Sequence, residues 1–268
     1  MNDSLIILIT GASSGIGQAC FDYLFALGYR VYGTSRKKNE DNPYLLQMDV
    51  THAKSITHAV NHIITKEGQI DVLINNAGIS VLGSAENTKA EDARQSFETN
   101  FWGAVQVTNA VLPHMRRARR GKIINISSLA GLFAIPFQSY YSASKHALEG
   151  YSESLRMELQ PFDISVTLVE PGDFRTSISQ HRIVSAVEDD TDYKTSFAQA
   201  HETIIKGELL GEDSIKIARL IEHIINKRKP KLRYAVGKPL DLLAAKLKRI
   251  LPHTAFQWII SKHYRLNK

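Results

Sequence analysis

Two side chains in the stretch YYSASKHALEGY, residues 140–151, have the types and spacing that suit proton transfer. Tyr141 and Lys145 stand four residues apart, so on a helix they project from the same face. A phenol has an ordinary pKa of about 10 and is a poor acid or base at neutral pH, but an adjacent ammonium favours the phenolate. The spacing predicts that Lys145 makes Tyr141 usable as a general acid or base, whereas Tyr140 is expected to form a pocket wall or to pack.

A second chemical signal is the glycine-rich stretch TGASSGIG, residues 10–17. Gly11, Gly15 and Gly17 fall between an apolar run and a segment with helical spacing, where residues without a Cβ permit a sharp turn and close backbone approach. The N-terminus of a helix attracts phosphate. The stretch therefore predicts a pyrophosphate cradle, and the alternative is a tight strand-to-helix turn without a ligand.

These residues need a scaffold, and the rest of the chain alternates between short apolar runs and longer helical patterns. Seven runs are predicted strands, at 4–10, 29–35, 44–50, 70–78, 122–128, 164–170 and 232–236. Helical spacing is found at 15–28, 53–67, 89–115, 140–160 and 213–227. This alternation predicts an α/β fold with a doubly wound parallel sheet and helices on both faces. We expect a catalytic domain over 1–237, with a lid region at 176–212, and a helical extension over 238–268.

Composition fits one such domain. The chain has 268 residues, of which 43% are hydrophobic and 22% charged, enough for a large buried core. The single cysteine, Cys20, excludes an internal disulfide framework and favours a reducing, cytoplasmic setting. The apolar run Leu5–Ile9 is too short for a secretory segment or a membrane span and is predicted to be a buried strand. The net charge of +6 alone decides nothing about partners.

The motifs together resemble the short-chain dehydrogenase/reductase family. The GxxxGxG spacing is joined by NNAG at 75–78, NISS at 125–128, YSASK at 141–145 and PG at 171–172, in the family's order across about residues 4–176. The resemblance implies a single-domain Rossmann-type fold, a nicotinamide cofactor and hydride transfer between an alcohol and a carbonyl. The family's catalytic residues correspond to Asn100, Ser128, Tyr141 and Lys145. Ser128 would polarise the substrate oxygen, and Asn100 would support a water for proton exchange with Lys145.

The end of the second predicted strand indicates which cofactor is used. NAD enzymes place an acid there and NADP enzymes a positive charge, and this chain has no acid between Val31 and Lys38 but has Arg36. We therefore expect NADP(H), the alternative being a solvated basic turn. By analogy with the family, the cofactor-binding set is Gly11, Ser13, Ser14, Gly15, Ile16, Gly17, Arg36, Asp49, Val50, Asn76, Ala77, Gly78, Tyr141, Lys145, Pro171, Gly172 and Thr176. No metal is expected, because His58 and His62 lack a third ligand.

The substrate is less well defined. Residues 127–145 resemble the same stretch of hydroxysteroid and retinol dehydrogenases, and four apolar residues are expected near the reaction centre, Leu132, Phe133, Phe137 and Phe174. They favour a bulky hydrophobic carbonyl or alcohol, with carbonyl reduction as the expected direction. The alternatives are a small-carbonyl or sugar reductase, and a non-catalytic NADP-binding regulatory protein, which the intact catalytic set disfavours.

Two basic regions remain. The stretch MRRARRGK at 115–122 lacks interleaved aromatics and is expected to be a solvated loop, not a nucleic-acid site. Near the C-terminus, one predicted helix face carries Leu240, Leu243, Ala244, Leu247, Ile250 and Leu251. This helix could lie on a membrane surface, cap the substrate entrance or join subunits of a homodimer or homotetramer. We expect a cap or a subunit contact, because Pro239 and Pro252 bracket a helix short enough to dock on the domain.

Overall fold

The computed structural model describes residues 5–37, 41–176, 182–185 and 191–266. Its centre is a seven-stranded parallel sheet, as the sequence predicts. The strands are β1 (Ile6–Ile9), β2 (Arg30–Ser35), β3 (Leu45–Gln47), β4 (Val72–Asn75), β6 (Gly121–Ile126), β7 (Ile164–Pro171) and β11 (Arg233–Val236). Their spatial order is β11-β7-β6-β4-β1-β2-β3. Two small parallel pairs lie outside the sheet, β5 (Val81–Leu82) with β9 (Ile183–Val184) and β8 (Phe174–Arg175) with β10 (Glu212–Asp213).

Helices connect the strands and cover both faces of the sheet. They are α1 (Gly15–Ala26), α2 (Ala53–Glu67), α3 (Ala90–Phe97), α4 (Gly103–Ala118), α5 (Ser139–Leu159), α6 (Thr191–Leu209), α7 (Ile215–Asn226), α8 (Pro239–Ile250) and α9 (His253–His263). Two differ from expectation. The helix predicted at 89–115 is interrupted by a π-helical turn over Glu98–Trp102, and the predicted lid region contains the long helix α6. Part of that region, 177–181 and 186–190, lies outside the described residues.

Alternating residues of β1 show why this sequence forms a layered sheet. Ile7 and Ile9 pack on one face against α1 and α7, and Ile6 and Leu8 pack on the other against α2 and α4. Successive strand side chains point to opposite faces, so a strand covered on both sides must be apolar throughout. Cys20 is buried in the first of these layers, where burial raises the pKa of its thiol to about 12.

The strand order reverses between β1 and β4, whose carboxyl ends therefore border a crevice. The loop that begins at Gly11 follows β1, and Asn76 to Gly78 follow β4 at the same edge. Asn76 joins the two loops, since its Nδ2 donates to the carbonyl oxygens of Thr10 at 2.9 Å and Gly11 at 3.0 Å. Asn76 of the NNAG motif therefore has a structural role at this edge of the sheet.

The C-terminal helices α8 and α9 pack on the domain. Ala245 of α8 and Phe256 of α9 are buried against Leu129 and Phe133, which follow β6. None of the helices in the described part of the chain combines the length and apolar character needed to cross a membrane.

The predicted apolar face of α8 is only partly used. Ala244, Leu247 and Leu251 pack, while Leu240, Leu243 and Ile250 stay exposed. Leu240 and Leu243 line the cavity beside the helix, whereas Ile250 does not.

Candidate active site

One cavity of about 810 Å³ runs along the carboxyl edge of the sheet and gathers most of the predicted site. Ser128, Tyr141 and Lys145 line it, and so do all the predicted cofactor residues except Gly17. Asn100 is buried and does not line the cavity. The structure therefore brings three of the four predicted catalytic side chains to one space, with the fourth behind them.

Tyr141 lies in the first turn of α5, and its partner Ser128 comes directly after β6. Ser128 Oγ accepts from the Ala130 backbone N–H at 3.1 Å, which fixes the hydroxyl at the start of a short 3₁₀ turn. Burial raises the pKa of Tyr141, and a hydrogen bond between its side chain and that of Ser128 opposes the rise. The expected net lowering of the Tyr141 pKa by Lys145 is therefore wrong for this structure. The cause is desolvation of the phenolate.

Lys145 is buried one helical turn further along α5. Its Nζ donates to the Ile126 carbonyl oxygen at 2.9 Å and lies 5.9 Å from the centre of the Tyr141 ring. Burial lowers the pKa of Lys145 to about 8, and the nearby carboxylate of Glu149 opposes this. The ammonium is thus oriented by the backbone and close enough to act on the phenol, but it loses its proton more easily than an exposed lysine.

Asn100 sits in the π-helical turn, a wide turn that often marks functional positions. Its Oδ1 accepts from Ile79 N at 2.8 Å, and its Nδ2 donates to Ile79 O at 3.0 Å and Ser144 Oγ at 2.9 Å. The side chain is held rigidly between the loop after β4 and α5. Gly78 separates it from Lys145, since a Cβ on Gly78 would lie 3.2 Å from Asn100 Oδ1 and 3.7 Å from Lys145 Nζ.

The glycine-rich loop has the form of an anion cradle. Gly11 has φ +66°, and a Cβ there would lie 2.9 Å from Ala77 Cα, so no larger residue fits. A Cβ on Gly17 would collide with the Gly11 carbonyl oxygen. The helix α1 begins at Gly15 with no side-chain cap from Ser14 and no acid in its first turn, so its N-terminal N–H groups face no competing carboxylate. These residues fit the pyrophosphate of a dinucleotide.

The basic and acidic residues expected near the adenosine lie at the same end of the cavity. Arg36 follows β2, is exposed and lines the cavity. Asp49 accepts from Thr51 N at 2.9 Å and Thr51 Oγ1 at 2.7 Å. Although burial alone would raise the pKa of Asp49, these hydrogen bonds lower it, so the carboxylate stays ionised. Arg36 therefore faces this end of the cavity without an acidic residue on its own strand.

The opposite end of the cavity is partly apolar, and its walls differ from expectation. Phe133 and Phe174 line it, but Leu132 and Phe137 do not. Phe137 has φ +60°, which turns its ring away to pack on Phe197 and Tyr193 of α6. Tyr140 is also outside the lining, and its hydroxyl donates to the Ala85 carbonyl oxygen at 3.3 Å. The apolar wall is completed by Leu240, Leu243, Ala244, Leu247, Phe256, Ile259 and Ile260 of α8 and α9.

Sequence reasoning missed several buried charges at the site. Arg182 and Glu208 line the cavity as an ion pair. Behind Lys145, Arg233 contacts Glu149 at 3.0 Å and Glu170 at 3.1 Å. The charge of Glu170 in the mainly apolar strand ISVTLVE could have indicated a buried charged group. Arg182 gave no such indication, because it lies in a stretch with no clear periodicity.

Comparison with known proteins agrees with this architecture. The sequence profile described as short chain dehydrogenase matches residues 5–185. The chain is 44% identical over 264 residues to a Bacteroides thetaiotaomicron protein named 3-ketodihydrosphingosine reductase, covering 97% of this chain and 98% of that one. A short-chain dehydrogenase from Streptomyces avermitilis has a similar structure, with TM-score 0.81, 32% identity and coverage of 93% and 96%. The structure of ElxO with NADP bound is also similar, with TM-score 0.72, 26% identity and coverage of 87% and 97%.

The cavity at the carboxyl edge of the doubly wound sheet and these matches together define the class of protein. The chain belongs to the short chain dehydrogenase family. It is an oxidoreductase, and the family acts on small molecules with a nucleotide cofactor.

Proposed function

We propose that the chain is an NADPH-dependent reductase of a bulky hydrophobic ketone of the keto-lipid kind. One observation carries the proposal: Tyr141, Ser128 and Lys145 meet in a cavity that has a glycine cradle at one end and apolar helices at the other. The reductase name of the Bacteroides relative supports this direction and makes 3-ketodihydrosphingosine the first substrate to test.

Tyr141 acts as the acid. NADPH, when bound, supplies the hydride that reaches the carbonyl carbon, and a proton must then reach the carbonyl oxygen. The raised pKa of Tyr141 keeps the phenol protonated at neutral pH, and its hydroxyl is paired with Ser128, which would polarise the same oxygen. As the proton leaves, the Lys145 ammonium stabilises the forming phenolate. Lys145 thus acts mainly by stabilising the phenolate that remains once Tyr141 has given up its proton.

Asn100 and the backbone position the lysine. Asn100 clamps the loop after β4 to α5, and the Ile126 carbonyl oxygen accepts from Lys145. We assign Asn100 as a positioning residue, because its side chain is committed to Ile79 and Ser144 and does not line the cavity. Any part it takes in proton exchange would run through Lys145.

The preference for NADPH over NADH is assigned to Arg36. It lines the adenosine end of the cavity on a strand end that carries no acid, so a 2′-phosphate would find a guanidinium at that strand end. The NADP-bound structure of ElxO supports NADP(H) as the cofactor.

The helices α8 and α9 are assigned as a cap over the substrate. Their side chains form the apolar wall of the cavity, and Phe256 anchors them to Phe133 with ring centres 5.4 Å apart. Among the three roles that the sequence leaves open, this packing favours the cap. An apolar wall suits a hydrocarbon chain better than a sugar.

The proposal is tested by following NADPH oxidation with a panel of carbonyls. The panel contains 3-ketodihydrosphingosine, a steroid ketone, a retinoid aldehyde, a short-chain ketone and an aldose. We expect the highest kcat/KM for a bulky keto compound and lower rates with NADH. Faster turnover of the aldose or the short-chain ketone would overturn the substrate class, and no NADPH oxidation with any carbonyl would overturn the reductase.

A further inference from the structure

A buried ion pair on the substrate side of the cavity leaves two polar atoms without a partner. Arg182 Nη2 pairs with Glu208 Oε1, and the two side chains are 2% and 16% exposed. Arg182 Nη1 and Glu208 Oε2 are buried and make no hydrogen bond to any described residue. Buried polar groups are nearly always hydrogen-bonded, because an unsatisfied one costs free energy. The pair therefore has one donor and one acceptor with no partner among the described residues.

The pair lies close to the reaction centre. Arg182 and Glu208 line the same cavity as Tyr141 and Ser128, and both their charges act on the Tyr141 phenol, Glu208 raising its pKa and Arg182 lowering it. The guanidinium is held in place by Ser80, whose Oγ accepts from Nε at 3.4 Å. The ion pair and the reaction centre therefore border one continuous space.

We propose that the Arg182–Glu208 pair binds a hydroxyl group that the substrate carries a few bonds from its carbonyl, an assignment that rests on the proposed reductase function. A hydroxyl oxygen accepts from Nη1, and the same hydroxyl donates to Oε2. One small neutral group then provides a hydrogen-bond partner for both Arg182 Nη1 and Glu208 Oε2. The substrate class becomes a hydroxy ketone with a hydrocarbon chain, the hydroxyl at the ion pair and the chain along α8 and α9.

Other polar groups fit the pair less well. A carboxylate or phosphate could accept from Arg182, but it would face the carboxylates of Glu208 and Asp173, which both line the cavity. An ammonium could donate to Glu208, but the Arg182 guanidinium would repel it. A ketone with no polar neighbour would bury both open atoms unpaired, and sites built to bind a hydroxyl discriminate strongly against analogues that lack it.

The test uses three ketones of one chain length: an α-hydroxy ketone, a β-hydroxy ketone and the ketone with no hydroxyl. Two quantities are measured for each, kcat/KM with NADPH and the Kd from titration calorimetry in the presence of NADP⁺, where reduction cannot proceed. We expect at least one hydroxy ketone to have a kcat/KM about tenfold or more higher, and a Kd about tenfold or more lower, than the plain ketone, since a hydrogen bond to a charged group is involved.

The matched variants separate recognition from folding. The double variant Arg182→Met, Glu208→Met removes both charges together, and replacing a buried ion pair by apolar residues of similar size is often neutral or stabilising. It should lose the hydroxyl preference, measured as the ratio of the Kd values for the hydroxy ketone and the plain ketone. Glu208→Gln is the second variant if the double variant does not fold. The control is Glu202→Gln, on the same helix, which breaks an exposed pair with Arg265 and should keep the preference.

The outcomes are distinguishable. Equal Kd values for the three ketones, or no binding of any of them, overturn the hydroxyl site. A preference that survives in both Arg182→Met, Glu208→Met and Glu208→Gln overturns it too. Hydroxyl-dependent binding without any NADPH oxidation would keep the site and overturn the proposed reductase.

Discussion

The two ends of the cavity are built in different ways. The cofactor end is made of short, contiguous stretches at the carboxyl ends of β1, β2 and β4, where a few residues of fixed spacing define the local backbone. The substrate end is made of Arg182, α6, α8 and α9, which come from separate parts of the C-terminal third. The cofactor end can be predicted from sequence motifs. The substrate end cannot, because its residues are far apart in the chain and come together only on folding. We therefore expect function to divide in the same way, with the chemistry common to the family at one end and substrate choice at the other.

The largest effect is expected where the two ends meet, at Tyr141. Tyr141→Phe keeps the ring and removes the proton, so kcat should fall by at least about a hundredfold, the usual loss for an acid or base. NADPH binding, measured by fluorescence titration, should be retained. Tyr140→Phe is the matched control, because its hydroxyl contacts the Ala85 carbonyl oxygen outside the cavity lining. A Tyr141→Phe enzyme within about threefold of the parent would refute the assignment.

A change confined to the cofactor end should alter cofactor choice alone. Arg36→Asp replaces a charge-assisted contact by repulsion, so the Kd for NADPH should rise by about tenfold to a hundredfold while that for NADH changes little. Arg117→Asp changes the net charge equally, on an exposed helix end away from the cavity lining, and should leave both constants unchanged. An unaltered ratio of the two constants in Arg36→Asp would make Arg36 an ordinary surface residue.

A change confined to the substrate end should alter KM for large substrates. Leu243→Asp places a charge on the cavity wall of α8, so KM for a long-chain ketone should rise by about tenfold while that for a short ketone stays similar. Ile250→Asp, on the same helix, is the control, because Ile250 is exposed and does not line the cavity. Similar KM values in both variants would mean that α8 does not contact the substrate.

The smallest expected effect is a pH dependence. Burial lowers the pKa of Lys145 to about 8, so its cation is present below that pH and is lost as the pH rises through it. Tyr141, whose pKa is raised, stays protonated over the same range. Reduction should therefore slow by about threefold or more between pH 8 and 9, because the forming phenolate loses its counter-charge. Lys145→Arg, always charged, should be slower overall but flat over this interval; a parallel decline in both enzymes would assign the titration to another group.

The sequence predicted what depends on local pattern. The strands, the cradle at Gly11 and the pairing of Tyr141 with Lys145 follow from period, glycine placement and helical spacing, and the structure places these residues as expected at one sheet edge. The assignment of catalytic and cofactor roles stays a prediction, as do the oligomeric state and any contact with a membrane.

What the sequence did not predict depends on contacts between distant residues. The Tyr141 pKa is raised because the folded cavity desolvates the phenol, which no helical spacing reveals. Phe137 was expected near the reaction centre, but it does not line the cavity and packs against α6 instead. The π-helical turn around Asn100 and the formation of α6 within the predicted lid region also depend on tertiary packing.

The central claim, that NADPH delivers hydride to the carbonyl of a bulky keto compound, is tested most directly by isotope transfer. NADPH carrying deuterium at the transferable position of C4 is incubated with the enzyme and 3-ketodihydrosphingosine, and the lipid product is analysed by mass spectrometry. We expect an alcohol with one deuterium on the former carbonyl carbon, and far less product from equally labelled NADH. An alcohol without deuterium would contradict hydride transfer from NADPH to this ketone. The absence of a lipid alcohol, while an aldose or a short ketone is rapidly labelled, would contradict it as well.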